Sequence, residues 1–170
     1  VSLLEETIEI TSFEPELQAE CKLELADILL VNGDEWEAIL LYSQVEKSLK
    51  ENPIGHEAKF RRARIAYFQG QMDWAQAQLD ILKASTSKLI ANNAMNLSLL
   101  ITDNMGLDTS AHAIQMYARA EFLEFQNKFE ESLLTLDSLS NKFSGHSLQD
   151  EIIFKKSTIS VKQKKYDNAI

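Results

Sequence analysis

The sequence predicts an all-α protein. Five glycines and two prolines among 170 residues are too few for a strand-rich chain, which needs turn residues every eight to twelve positions or so. Alanine, leucine, glutamate, lysine and glutamine, all good helix formers, are abundant. Apolar residues recur at helical spacing, as in Trp36, Ile39, Leu40, Tyr42, Val45 and Leu49. Apolar residues make up 45% of the chain and charged residues 25%, ordinary for a folded protein. The length allows either one domain with a sizeable core or a stack of small units.

An internal repeat favours the stack. LELADILLVNGDEWEAI from Leu23, FRRARIAYFQGQMDWAQ from Phe60, YARAEFLEFQNKFEESL from Tyr117 and FKKSTISVKQKKYDNAI from Phe154 align without a gap. The first column is large (Leu23, Phe60, Tyr117, Phe154), and three places on it is small (Ala26, Ala63, Ala120, Ser157). The eleventh column holds Gly33, Gly70, Asn127 and Lys164, a helix-ending position where glycine or asparagine takes a left-handed conformation. Five places later stand Ala38, Ala75, Ser132 and Ala169. Such a unit is a helix, a tight turn and a second helix packed antiparallel, with small residues letting the backbones approach.

Taken in order, residues 1–12 carry Leu3, Leu4 and Ile8 at the spacing of a second helix whose partner lies upstream. Residues 15–52 and 55–86 form one helix pair each. In the first, Asp34 is placed to cap the second helix, and Pro53 closes the unit. In the second, Ala75, Leu79 and Leu82 form the apolar stripe. Leu23 to Phe60 spans 37 residues, as does Tyr117 to Phe154, whereas Phe60 to Tyr117 spans 57. The 20 extra residues predict an additional helix near 88–104 within 87–106, capped by Ser87 and ending near Asn104-Met105-Gly106. Leu89, Ile90, Met95, Leu97, Leu99, Leu100 and Ile101 make it apolar on more than one side, so it is expected to be well buried. Asp108-Thr109-Ser110 opens the next pair, 109–143, with Leu133, Leu136 and Leu139 in its second helix. Ser147 and Asp150 have the spacing of a capping box for 147–170, a truncated pair. Both edges of the chain are thus expected to fall inside units of a longer array. KKYDNAI is expected to fray or pack against another molecule, which leaves self-association through the ends open. The chain opens without Met or a leader pattern, so any targeting peptide is expected outside it.

This pattern resembles the tetratricopeptide repeat. The residues that carry the resemblance are Ala26, Ala63 and Ala120 in the first helices, Gly33 and Gly70 at the turns, Phe129 and Tyr166 two places after the turn column, Ala38, Ala75 and Ala169 in the second helices, and Tyr42 and Leu79 four residues on. It implies a right-handed superhelical array of antiparallel helix pairs, an α-solenoid. The family's first-helix tryptophan is absent, its column holding Lys22, Lys59, Met116 and Ile153. Trp36 and Trp74 stand one and two places beyond the aromatic column. Such shifted repeats resemble those of many bacterial envelope and assembly proteins, which leaves bacterial periplasm, envelope and cytoplasm open.

The net charge of −9 argues against a general nucleic-acid binder. Residues 1–57 hold 14 acids and 3 bases, a net of −11; residues 58–170 hold 12 acids and 14 bases, a net of +2. The acidic third either attracts a basic partner or is a solvated face. Cys21 is the only cysteine, which excludes an internal disulfide and a cysteine metal cluster, and its surroundings predict a buried or half-buried thiol. No apolar run reaches the roughly 18–20 residues of a membrane span. Motifs for phosphate loops, zinc proteases, paired CxxC and nucleophile elbows are absent. His56, His112 and His146 fall in different units, and Asn96-Leu97-Ser98, a glycosylation acceptor by pattern, falls inside a predicted helix. No catalytic, cofactor or metal site is expected, and the chain is not read as an enzyme.

The resemblance implies instead a protein or peptide partner held in a concave groove lined by the first helices. Its columns fall on Leu23, Asp27 and Leu30; Phe60, Arg64 and Tyr67; Tyr117, Glu121 and Glu124; and Phe154, Thr158 and Val161. Aromatic and arginine side chains dominate binding hot spots, but Phe60, Tyr117 and Phe154 are equally placed to fill space between units. Arg61, Arg62 and Arg64 either take a partner's carboxylates or pair with the acidic first unit. The repeated Asn/Lys set with which some members of the family clamp a carboxyl terminus is missing. The alternatives to a binding scaffold are a structural or oligomerising module and a regulatory segment of a larger protein.

Overall fold

The structure, a computed structural model, describes residues 1–9, 14–105 and 110–165. Among the described residues the chain is all-α. In order come α1 (Ser2–Glu9), α2 (Pro15–Asn32), α3 (Glu35–Ser48), α4 (Pro53–Phe68), α5 (Met72–Leu82), α6 (Lys88–Asp103), α7 (Ser110–Phe125), α8 (Phe129–Lys142) and α9 (Gln149–Lys162). Helix α2 packs against its sequence neighbours α1 and α3, and α8 against its neighbours α7 and α9. The chain divides into two compact units, Val1–Ala66 with Met72–Ser98, and Tyr67–Gln71 with Leu99–Ile170. The expected helix stop at Gly106, the opening at Asp108-Thr109 and the ending Tyr166 to Ile170 lie outside the described residues, as do positions 10–12.

In the first unit, Pro15 opens α2 at a position where a missing N–H costs nothing. Ala26 and Ala38 have no exposed surface, and Leu30, Tyr42 and Val45 complete the seam between α2 and α3. Beyond the seam, α3 turns Trp36 outward at 79% exposure, with Leu40 one turn on. The Asn52 side-chain oxygen caps α4 by accepting the Ile54 N–H at 2.9 Å. Gly55 lies so close to the end of α3 that a β-carbon there would meet the Leu49 carbonyl oxygen at 1.9 Å. In α5, Met72, Ala75, Leu79 and Leu82 are buried, while Trp74 lies beneath the Arg62 guanidinium at 5.5 Å.

Two expected caps take different forms. Asp34 sits at the N-cap of α3 without a side-chain hydrogen bond. No capping box forms at α9. Its N-cap is Leu148, and Ser147 Oγ instead donates to Asn104 Oδ1 at 2.6 Å. His146 Nδ1 accepts the Leu148 N–H at 3.2 Å. Ser87 does precede α6, with the Ile90 N–H reaching its hydroxyl at a long 3.5 Å.

The helix expected between the second and third pairs is α6, but it is not buried on several sides. Only the stripe Ile90, Ala94, Ser98 and Ile101 is covered, while Leu89, Met95 and Leu99 are exposed. A polar residue even joins the covered stripe, because Gln76 Nε2 donates to Ser98 Oγ at 2.7 Å and so removes the penalty of burying a hydroxyl.

In the second unit, Ala120 and Ser132 meet at the α7–α8 seam, where Ser132 Oγ donates to the Ala120 carbonyl at 2.7 Å. Phe68 stacks on Phe122 with centroids 5.2 Å apart and lies 6.1 Å from Phe125. Helix α9 buries Ile152, Ile159 and Ser160 and leaves Ile153, Phe154 and Val161 exposed.

The turns share one construction. Gly33 (φ 96°), Gly70 (77°), Asn127 (59°) and Lys164 (59°) are the residues with positive φ among those described, and they are the four members of the eleventh column. At Gly33 the N–H bonds the Leu30 carbonyl at 3.2 Å, and the next N–H, of Asp34, bonds Leu29 at 2.9 Å. Asn127 and Lys128 repeat this with Glu124 and Leu123, as Lys164 and Lys165 do with Val161 and Ser160. This paired bonding satisfies the orphan carbonyls at a helix end and reverses the chain sharply.

Candidate binding surfaces

The twelve residues placed in groove columns by sequence separate by exposure, with Glu124 buried and Val161 exposed in the second unit. In the first unit Leu23, Leu30 and Phe60 are buried, and Asp27 and Arg64 are half-buried. In the second, Tyr67 and Tyr117 are buried, Glu121 and Thr158 are half-buried, and Phe154 is 70% exposed. Side chains without exposed surface shape the floor beneath a surface rather than the surface itself.

Asp27 is the centre of the first unit's polar network. Tyr42 Oη donates to its Oδ1, and Arg61 Nη1 lies 2.7 Å from its Oδ2. Arg61 Nε also donates to Glu57 at 2.8 Å, and its Nη1 reaches the Leu23 carbonyl at 3.4 Å and Glu24 at 3.6 Å. Burial, then the hydrogen bond to Asp27, pushes the Tyr42 phenol far above its ordinary range. Arg62 bonds Glu46, to which Lys59 adds a contact at 3.6 Å. Of the two roles open to Arg61 and Arg62, the structure has the second: both pair with acids of the first unit.

Two clefts open on this unit. One, of about 410 Å³, is bounded by Glu20, Leu23 and Glu24 from α2 and by Pro53, Ile54, Glu57 and Arg61 from α4. The other, of about 430 Å³, has Lys47, Lys50, His56, Lys59 and Ser85 in its wall. There His56 Nδ1 stands 2.8 Å from Ser85 Oγ, which in turn accepts the Ser87 N–H at 3.3 Å. A nucleophilic serine needs a base that a third group orients. Among the described residues no carboxylate bonds His56, and the pair ties the segment after α5 to α4.

The second unit carries a chain of charges that sequence reasoning passed over. Tyr67 Oη donates to Glu121 Oε2 at 2.8 Å. Lys155 Nζ bonds Glu121 at 2.8 Å and Glu124 at 3.1 Å, and Lys162 Nζ bonds Glu124 at 2.6 Å. Burial opposes the charge on Glu124, but hydrogen bonds and attraction from Lys162 and Lys155 outweigh it and hold the carboxyl below its ordinary value. Lys155 is the mirror case: burial works against its charge, and Glu121 and Glu124 raise it above the ordinary lysine value. The available signal was an acid in a column otherwise filled by Leu30 and Tyr67, with lysines at 155 and 162 on the following helix.

Among the described residues no group of three His, Cys, Asp or Glu converges to hold a metal ion, and no helix is long and apolar enough to cross a membrane. Cys21 is half-buried. No family model, curated protein or solved structure matches the chain.

Proposed function

We propose that this chain is a non-catalytic protein-binding array of helix pairs, of the tetratricopeptide type, that takes a peptide or partner protein on the face of its first helices. One observation carries the reading. Four residues aligned by sequence, Gly33, Gly70, Asn127 and Lys164, share one rare backbone conformation, so the repeat is one of construction as well as of composition. Stacked helix pairs of this kind present extended surfaces suited to a polypeptide.

Selection of a displayed random-peptide library on the folded chain tests it. Enrichment of a peptide that then binds at one site by calorimetry is the expected result. No enrichment, on protein whose helicity is intact, overturns the proposal.

A second reading, an oligomerising module, is favoured by Phe154 and Val161. They are 70% and 50% exposed, whereas their counterparts Tyr117 and Glu124 are 4% and 8% exposed. Sedimentation across a wide concentration range decides it, since a strict monomer excludes this reading.

A further inference from the structure

We infer that the cleft between α2 and α4 is a docking site for a lysine or arginine side chain of a basic partner segment. The inference rests on the protein-binding reading above and names its partner's chemistry.

The cleft has an apolar floor and an acidic wall. Leu23 is buried beneath it, Ile54 is half-buried, and Pro53 is exposed at its edge. Glu20, Glu24 and Glu57 supply three carboxylates against the single Arg61. That arginine shows what the wall accepts, because its guanidinium is already seated on Glu57 at 2.8 Å and Asp27 at 2.7 Å.

Those two acids bond Arg61 at hydrogen-bond distance, whereas Glu24 meets it only as a looser ion pair and Glu20 does not pair with it. Glu24 is 64% exposed at its side chain and stands 3.6 Å from Arg61, beyond ordinary hydrogen-bond length. Glu20 is exposed and forms no ion pair among the described residues. Two carboxylates therefore face the cleft with unused acceptor capacity. Residues 1–57 carry a net −11, so the surrounding field attracts cations and repels phosphate backbones. An occupant that satisfies both wall and floor has an aliphatic stem and a cationic head, as lysine and arginine do. The volume of about 410 Å³ is in the range of small-ligand clefts. The occupant is an extended basic segment with an apolar residue beside the cation.

The test is the same library selection run on the wild-type chain and on Glu20→Gln with Glu24→Gln. Both substitutions are at exposed positions, so the fold is unaffected, which circular dichroism verifies. The expected result is enrichment of Lys- or Arg-containing peptides, with binding about tenfold or more weaker in the double variant and weakened by salt in the wild type. Enrichment of peptides without basic residues, or binding that the double variant leaves unchanged, overturns this inference while the protein-binding reading stands. Enrichment of nothing overturns both.

Discussion

Glu124 occupies in α7 the position that Leu30 holds in α2. Where Leu30 fills its seam with hydrocarbon at 1% exposure, Glu124 at 8% is neutralised by Lys155 and Lys162. A buried ion pair is seldom a net gain over apolar packing, but breaking one from a single side is costly. Glu124→Leu is therefore expected to be tolerated within about 1 kcal/mol, because Lys155 keeps Glu121. Removing both acids, Glu121→Leu with Glu124→Leu, strands Lys155 and leaves Tyr67 Oη without its acceptor. The expected cost is about 3 kcal/mol or more, measured by urea unfolding.

The same network sets a dependence on pH. Glu124 is held below its ordinary value of 4.5, so its stabilisation is complete above that pH and is lost as pH falls through the lower folded value. Lys155 is held above 10.5, so its contribution is complete below that pH and is lost as pH climbs past it. Glu124→Gln is expected to lower Tm at neutral pH, with the gap to wild type closing as pH falls below the ordinary carboxylate range. A gap that persists undiminished into acid contradicts this assignment.

The turns offer a clean measure of backbone strain. A β-carbon at Gly33 meets nothing within 4 Å, so Gly33→Ala isolates the cost of a positive φ, about 1–2 kcal/mol. Lys164 bears that cost already at φ 59°. Lys164→Gly is expected to stabilise by up to about 1 kcal/mol, read as an opposite shift in the denaturation midpoint.

Gly55 is constrained differently. Its φ is not positive, but the Leu49 carbonyl stands 1.9 Å from where a β-carbon would lie. Gly55→Ala must push α4 off the end of α3, an overpacking expected to cost about 3 kcal/mol. A neutral outcome in thermal melts would show that the two helices separate freely there.

The seams were legible in the sequence because close helix approach admits only small side chains, and Ala26, Ala38, Ala63, Ala75 and Ala120 all have no exposed surface. The left-handed turns were legible for a similar reason, since glycine and asparagine mark them even where Lys164 breaks the rule. Caps were less so. Ser147 had the local spacing to cap α9, yet its hydroxyl went to Asn104, distant in sequence, and no local pattern carries that information. Helix α6 misled for another reason: apolar composition shows what a helix tolerates, not how many neighbours cover it. The groove columns gave positions without exposure, so buried Tyr67 and exposed Phe154 looked alike. Arg61 was visible as a base facing an acidic segment, but its seat on Asp27 and Glu57 depends on how α4 lies across α2.

Trp36 and Trp74 are the two tryptophans of the chain, and both belong to the first unit. One stands in solvent and the other lies under a guanidinium. Indole emission is thus a private reporter of that unit, while far-ultraviolet dichroism sums over every helix. Comparing the two signals through one melt gives a spectroscopic partition: coincident curves mean that the units unfold as one cooperative body, and an earlier or later emission step dates the first unit's loss without any added label.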